Sequence, residues 1–196
     1  SNGSSIMVMP GTYNVTMSLY AGGETKQLAG PVAFKAKVLN NTTLPATDRK
    51  ALVDYQREVA EISGKVMGAE DYAEELSQNL NTMLQAVHQT PSASPELKNN
   101  LINAVKEIDE ILFLFNGTEP KASKEEVPPA QVPVMDRLSN IVYSHYSSTS
   151  APTSTHLRSL EIIKEEFPSI FARLKELGEN KMPVLMKEMD KAGVPY

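Results

Sequence analysis

Cysteine is absent from this 196-residue chain. That excludes disulfides and thiolate metal sites, and it is compatible with either an oxidising or a reducing compartment. Basic charge is in short supply. Nineteen Lys and Arg stand against 24 Asp and Glu, for a net charge of −5. A nucleic-acid-binding protein needs a basic face to displace the counterions of phosphate, so this balance argues against one. Long hydrophobic runs are missing too. The longest, Ile111 to Phe115, is five residues, far short of the ~20 needed to cross a bilayer. Histidine occurs only three times, and no recognisable catalytic motif stands out.

Apolar residues are nevertheless plentiful, at 41%, enough for the core of one domain with a small appendage. Their spacing is most informative between Thr47 and Gln89. Leu52, Tyr55, Val59, Ile62, Val66, Ala69, Ala73, Leu76, Leu80, Met83 and Val87 follow one another at alternating steps of three and four. The residues between them are mostly charged or amide. A strand alternates with period two, so this spacing specifies an amphipathic helix, roughly 60 Å long at 1.5 Å per residue. Thr47 is the expected N-cap, with Asp48 in the first turn. Gly64 and Gly68 lie mid-helix without breaking the phase, so the expectation is one helix, with any bend at these glycines.

Ahead of it, residues 1–5 are small and polar and read as an expression remnant at a domain boundary. Thr12 to Tyr20 alternates, with Tyr13, Val15, Met17 and Leu19 on one face and Asn14, Thr16 and Ser18 on the other. This predicts a half-buried strand. A turn at Ala21-Gly22-Gly23-Glu24 leads to a second strand, Thr25 to Val38, interrupted near Gly30-Pro31, with Phe34, Ala36 and Val38 inward.

Beyond the long helix, Thr90 to Pro95 is a break. Ser94 as N-cap, Pro95 at the first helical position and Glu96 open a second helix. Leu97, Leu101, Ala104, Ile108, Ile111 and Phe115 form its apolar stripe, and Asn116-Gly117 ends it. Residues 118–133, with four prolines, read as an extended linker. A third helix of about 14 residues starts at Val134, with Leu138, Ile141, Val142 and His145 inward. A fourth carries Leu160, Ile163, Phe167, Ile170, Leu174 and Leu177, with a kink expected at Pro168. Gly178 and Pro183 should divide off a last short helix, Pro183 to Lys191. The predicted fold is mainly α. An up-down-up-down four-helix bundle with a long first helix and ~20° crossings occupies residues 46–196, preceded by a small β-hairpin over 1–39.

The chemistry-bearing residues point away from catalysis. His88, His145 and His156 belong to no His-Glu-x-x-His motif. Gln85, Val142 and Thr153 stand three residues before them, where a di-iron bundle needs Glu. The carboxylate pairs Glu70-Asp71, Glu74-Glu75, Glu125-Glu126 and Glu165-Glu166 are sequence neighbours, which do not converge on one bond as a glycosidase requires. No Gly-x-Ser-x-Gly marks a serine nucleophile, and the Gly22 to Gly30 stretch lacks the Gly-Lys-Ser/Thr of a phosphate loop. Nine methionines, among them Met182, Met186 and Met189, suit either an adaptable groove or gap-filling at a bundle end. Asn14, Asn40, Asn41 and Asn116 stand in Asn-x-Ser/Thr triplets, which signify only in a glycosylating source. The expectation is no catalytic residue, no metal ligand and no cofactor site.

One ordered set of motifs resembles a known family. The strand Pro10-Gly11-Thr12-Tyr13-Asn14-Val15 leads through a hairpin into a long helix. After the proline-rich linker come Met135-Asp136-Arg137-Leu138 and Ala151-Pro152-Thr153, and the chain closes on Ala192-Gly193-Val194-Pro195. This order is similar to the C-terminal region of bacterial proteins built on BNR-repeat, sortilin/VPS10-like β-propellers, often described as glycosyl-hydrolase-like. It departs over 39–45, where Leu39-Asn40-Asn41-Thr42-Thr43-Leu44-Pro45 replaces an Asp-Pro-Arg. The resemblance implies that the hairpin is cut from an Ig-like sheet and that any propeller active site lies upstream. It implies an extracytoplasmic, non-catalytic structural or interaction module, with the upstream domains of the same protein as partners. A second copy paired through the hairpin edge is a further expected partner. The other readings are a helical adaptor or ligand-sensing bundle, and an accessory part of a glycan-hydrolysing enzyme. An apolar strip left exposed after the helices pack would favour the adaptor; a dry, packed seam would favour the structural module.

Overall fold

The computed structural model describes residues 8–39, 44–118, 131–145 and 148–195. The protein is mainly helical, with four principal helices, a long first helix and a preceding two-stranded antiparallel hairpin. Strand β1 is Gly11–Ala21 and β2 is Glu24–Ala36. The helices are α1, Arg49–Gln89, α2, Pro95–Asn116, α3, Val134–His145, and α4, Ser154–Lys175. A π-helical turn, Glu176–Lys181, then leads into α5, Met182–Ala192. Most of the expected linker, residues 119–130, lies outside the described residues.

Helix α1 is unbroken over 41 residues. It begins two residues later than the apolar spacing suggests, because the Ala51 N–H bonds the Asp48 carboxylate at 2.9 Å. Asp48 is therefore the cap and Thr47 is not, as expected where a short carboxylate can satisfy a first-turn donor. Of the eleven stripe positions only Ile62 is half-buried; the other ten are buried, joined by Val53. Helix α2 begins as its sequence dictates, with the Leu97 N–H bonded to the Ser94 hydroxyl at 3.1 Å and Pro95 in the first turn. All six of its expected inward residues are buried. In α3, Leu138, Ile141 and His145 are buried with Val134, and Val142 is half-buried.

The chain forms two compact units. One comprises residues 1–58 and 144–153, the other 59–143 and 154–196. In the second unit α2 runs antiparallel to the α4–α5 rod. Its partners rise in number there as α2 is read backwards: Glu110 with Arg173, Glu107 with Lys181, Asn100 with Glu188, and Ser92 with Ala192. Tyr72 of α1 meets Gly178, and further along both rods Leu76 and Met83 line one groove with Met182 and Met186, so α1 runs parallel to that rod. The seam is dry. Val66, Ala73, Leu80, Leu101, Ile108, Ile111, Phe115, Ile141, Ile163, Leu174, Leu177 and Met189 are fully inaccessible.

The expected last short helix is present as α5, Met182–Ala192, but Gly178 and Pro183 make no break before it; the chain stays helical from Ser154 to Ala192. The stripe gives the reason. Seven residues after Leu177 the same face would present Val184, yet Val184 is exposed and Leu185 is buried. One extra residue has been inserted into the helical repeat. The Met182 N–H reaches five residues back to the Leu177 carbonyl, which absorbs that residue without ending the helix. Pro183 follows just after the π-turn, and the helix continues past it although the ring has no N–H to bond a carbonyl of that turn. Pro168 lies inside α4 without ending it.

Candidate interaction surface on the hairpin

The hairpin differs most from its expected form. Its strands pair antiparallel, Gly11 opposite Ala36 through Val15 opposite Val32, then Met17 opposite Ala29 and Ser18 to Ala21 opposite Gln27 to Glu24. A half-buried sheet was expected, with Tyr13, Val15, Met17 and Leu19 inward. Instead only Tyr13 and Ala36 are half-buried, and every other residue of both strands is exposed. Val15, Met17, Leu19, Leu28, Val32 and Phe34 are each at least half accessible. The alternation correctly places these side chains on a sheet, but no other element among the described residues covers them. Local support comes from the stacked Tyr13 and Phe34 rings, 5.9 Å apart, and from the Tyr13 hydroxyl donating to the Met9 carbonyl at 2.6 Å.

The two strands are not equivalent. Between Val15 and Ser18 the register shifts twice, and each time the extra residue lies on β2. Gly30 marks the first shift. Its φ of +87° and a virtual Cβ 2.5 Å from the Val15 carbonyl oxygen leave room for no side chain. Pro31 follows and has no N–H to offer. β2 carries Glu24, Lys26 and Lys35; β1 carries neither a charge nor a proline. β2 is thus bulged and charged, whereas β1 is regular and neutral.

At the foot of the hairpin, within the same unit, lies a mainly apolar cavity of about 270 Å³. Met9, Pro10, Ala36 and Val38 face Leu52 and Val53 across it, and Arg49, Gln56 and Thr149 supply polar groups. The Gln56 amide donates to the carbonyls of His145 and Ser148, both at 3.4 Å. Its Oε1 is buried without a partner among the described residues. Beside it the Tyr55 ring meets His145 edge-on at 5.1 Å. The Tyr55 hydroxyl has no partner among the described residues, and burial pushes its pKa up to about 12. Sequence reasoning did not assemble this cavity, because its walls come from both ends of the hairpin, the start of α1 and Thr149, which only folding brings together. Only the heptad phase of Leu52, read together with the hairpin's inward Ala36 and Val38, hinted at it.

The residues considered for chemistry are dispersed. His88 is exposed, His156 half-buried and His145 buried. Glu165 pairs with Arg158 at 3.1 Å, and Glu166 accepts from Gln131 at 2.7 Å. Asp71, Glu74 and Glu75 are exposed and Glu70 is half-buried. Glu125 and Glu126 lie outside the described residues, as do Asn40 and Asn41. No group of three or more His, Asp or Glu that could hold a metal exists among the described residues. No helix among them is long and apolar enough to cross a membrane. Met182 is half-buried and Met186 more exposed, and both line a shallow groove with Tyr72, Leu76 and Met83, while Met189 is core. Comparison of the chain with family models, with curated proteins and with solved structures gives no match in any of the three.

Proposed function

We propose that this chain is a non-catalytic structural and interaction module, whose hairpin is the contact element and whose helices are the rigid base. The observation that carries the reading is the contrast between the two parts. The helical seam is dry to its centre, while the hairpin presents Val15, Met17, Leu19, Val32 and Phe34 to solvent. Each such side chain gains roughly 1.5–3 kcal/mol on burial, and a lone two-stranded hairpin is marginal in water. The sheet faces therefore favour a cover that these residues do not themselves supply. The dry seam also supports a structural module over a groove-binding adaptor.

The motif order proposes what that cover is: the preceding part of a larger extracytoplasmic bacterial protein of the propeller type. Any glycan hydrolysis by that parent would then reside upstream of this chain. The test is hydrogen exchange at residues 12–36, in the chain as it stands at high dilution and in the chain extended by its upstream coding region. Protection should rise on extension. High protection in the monomer that does not change would assign the hairpin to the bundle and end the reading. The non-catalytic part has its own check: purified protein should turn over neither glycosides nor esters. Robust turnover lost on replacing one carboxylate or serine would refute it.

A further inference from the structure

Among the described residues both edges of the hairpin are free, and their chemistry differs enough to say which one accepts a strand and from what. We infer that β1 pairs antiparallel with β1 of a second copy, giving a four-stranded sheet in the order β2-β1-β1-β2 that closes at two chains. This rests on the reading of the hairpin as the contact element and specifies one partner for its edge. The sheet faces stay available to the neighbouring part of the parent protein.

Natural sheets protect edges with lysine, proline and bulges. β2 has all three: Lys26 and Lys35, Pro31, and both register shifts. A twofold through the middle of β2 would also bring Gly30-Pro31 onto itself, where Pro31 has no N–H to donate. β1 has none of these guards along its eleven residues. Charge decides the occupant. In a chain of net charge −5, β1 is an entirely neutral strand, so a second copy can lie beside it with no like charges opposed.

The register follows from symmetry. Thr16 is the midpoint of Gly11–Ala21. A twofold there sets Val15 against Met17 of the other copy and Tyr13 against Leu19 on one face. On the other face it sets Thr12 against Tyr20, Asn14 against Ser18 and Thr16 against Thr16. Apolar meets apolar on the first face, and every side chain of the second carries a hydroxyl or an amide, pairings that stabilise adjacent strands. The outer strands of the resulting sheet are both β2, guarded against further addition. That is why the association stops at two instead of growing into a filament.

The absence of native cysteine makes the test direct. Thr16→Cys places two thiols opposite each other only in this register, so mild oxidation should link the chains. Lys26→Cys and Lys35→Cys, on β2, should not link. Sedimentation should show a concentration-dependent dimer of the unaltered chain. Thr16→Lys and Thr16→Glu should each weaken it several-fold by opposing like charges at the twofold. An equimolar mixture of the two should restore a dimer, and unchanged helical circular dichroism keeps folding out of the comparison. A sedimenting monomer up to several hundred micromolar (about the weakest self-association of interest) overturns the inference. So does linkage at Lys26 or Lys35 as efficient as at Thr16, or indifference to the Thr16 charges. Each of these outcomes leaves the exchange test of the module reading untouched. Conversely, Thr16 linkage with no exchange response to upstream extension would sink the module reading alone.

Discussion

Tyr55 is 5% exposed, and its hydroxyl finds no partner among the described residues. A buried unsatisfied hydroxyl costs about 1–3 kcal/mol, so Tyr55→Phe should leave the fold intact and raise its stability by roughly 1 kcal/mol. The same burial carries a pH signature. The phenol is held neutral up to about 12 in the folded chain, against about 10 when unfolded. The unfolded state therefore loses its proton first. This contribution to stability is complete below pH ~10 and is lost as pH rises through ~12. Denaturant titrations between those limits should show a steeper decline for the unaltered protein than for Tyr55→Phe. Gly30 is a residue-scale constraint of the opposite kind. Its positive φ alone makes Ala cost about 1–2 kcal/mol, and the Val15 carbonyl oxygen occupies the space a Cβ needs. Gly30→Ala should abolish the cross-strand Tyr13–Phe34 contacts seen by NMR while the helical circular dichroism stays unchanged.

Among the elements, α1 and the α4–α5 rod share a register fixed at Tyr72 and Gly178. A Cβ on Gly178 would lie 2.1 Å from the Tyr72 hydroxyl oxygen and 2.9 Å from the ring carbon that bears it. Gly178→Ala must push the exposed end of Tyr72 aside, which offsets the ~1 kcal/mol that Ala gains over Gly in a helix. Because Tyr72 is the obstacle, adding Tyr72→Ala should remove that penalty. A double-mutant cycle by chemical denaturation should show coupling well beyond the ~0.5 kcal/mol of independent sites. An additive cycle would mean that the π-turn, not the tyrosine, resists the methyl group. Leu76, 3% exposed on the same stretch of α1, tests the stripe itself. Leu76→Ala should cost about 2–5 kcal/mol; under half a kcal/mol would place that face in water.

At the scale of the whole molecule, stability is expected to be uneven. Amides of α1, α2 and α4 lie along fully buried side chains, whereas the hairpin's side chains stand in solvent. Local opening follows such differences in burial. In dilute monomer, hairpin amides should exchange orders of magnitude faster than those at Leu80, Ile108 and Ile163. Comparable rates would mean that the hairpin unfolds only with the bundle. Exposed ion pairs such as Arg158–Glu165 and Lys65–Glu61 change this little, since solvent screens their attraction and the long side chains lose freedom in making it.

The sequence by itself determined the helices. Steps of three and four are a local property, and ten of the eleven α1 positions and all six on α2 are buried as that spacing requires. The caps of α2 are equally local: Ser94 and Pro95 act within one turn. Periodicity names the apolar face of an element but not what covers it. Tyr13, Val15, Met17 and Leu19 therefore read as an inner face, and only the tertiary structure left three of them in solvent and one half-buried. Val184 and Leu185 are both apolar, so the stripe alone could not say which one turns inward; packing chose Leu185 and inserted the π-turn to reach it. The cavity below the hairpin likewise exists only once α1 and the strand ends are brought together. A repeat records which residues leave water together, whereas the partner surface depends on contacts far apart in the chain.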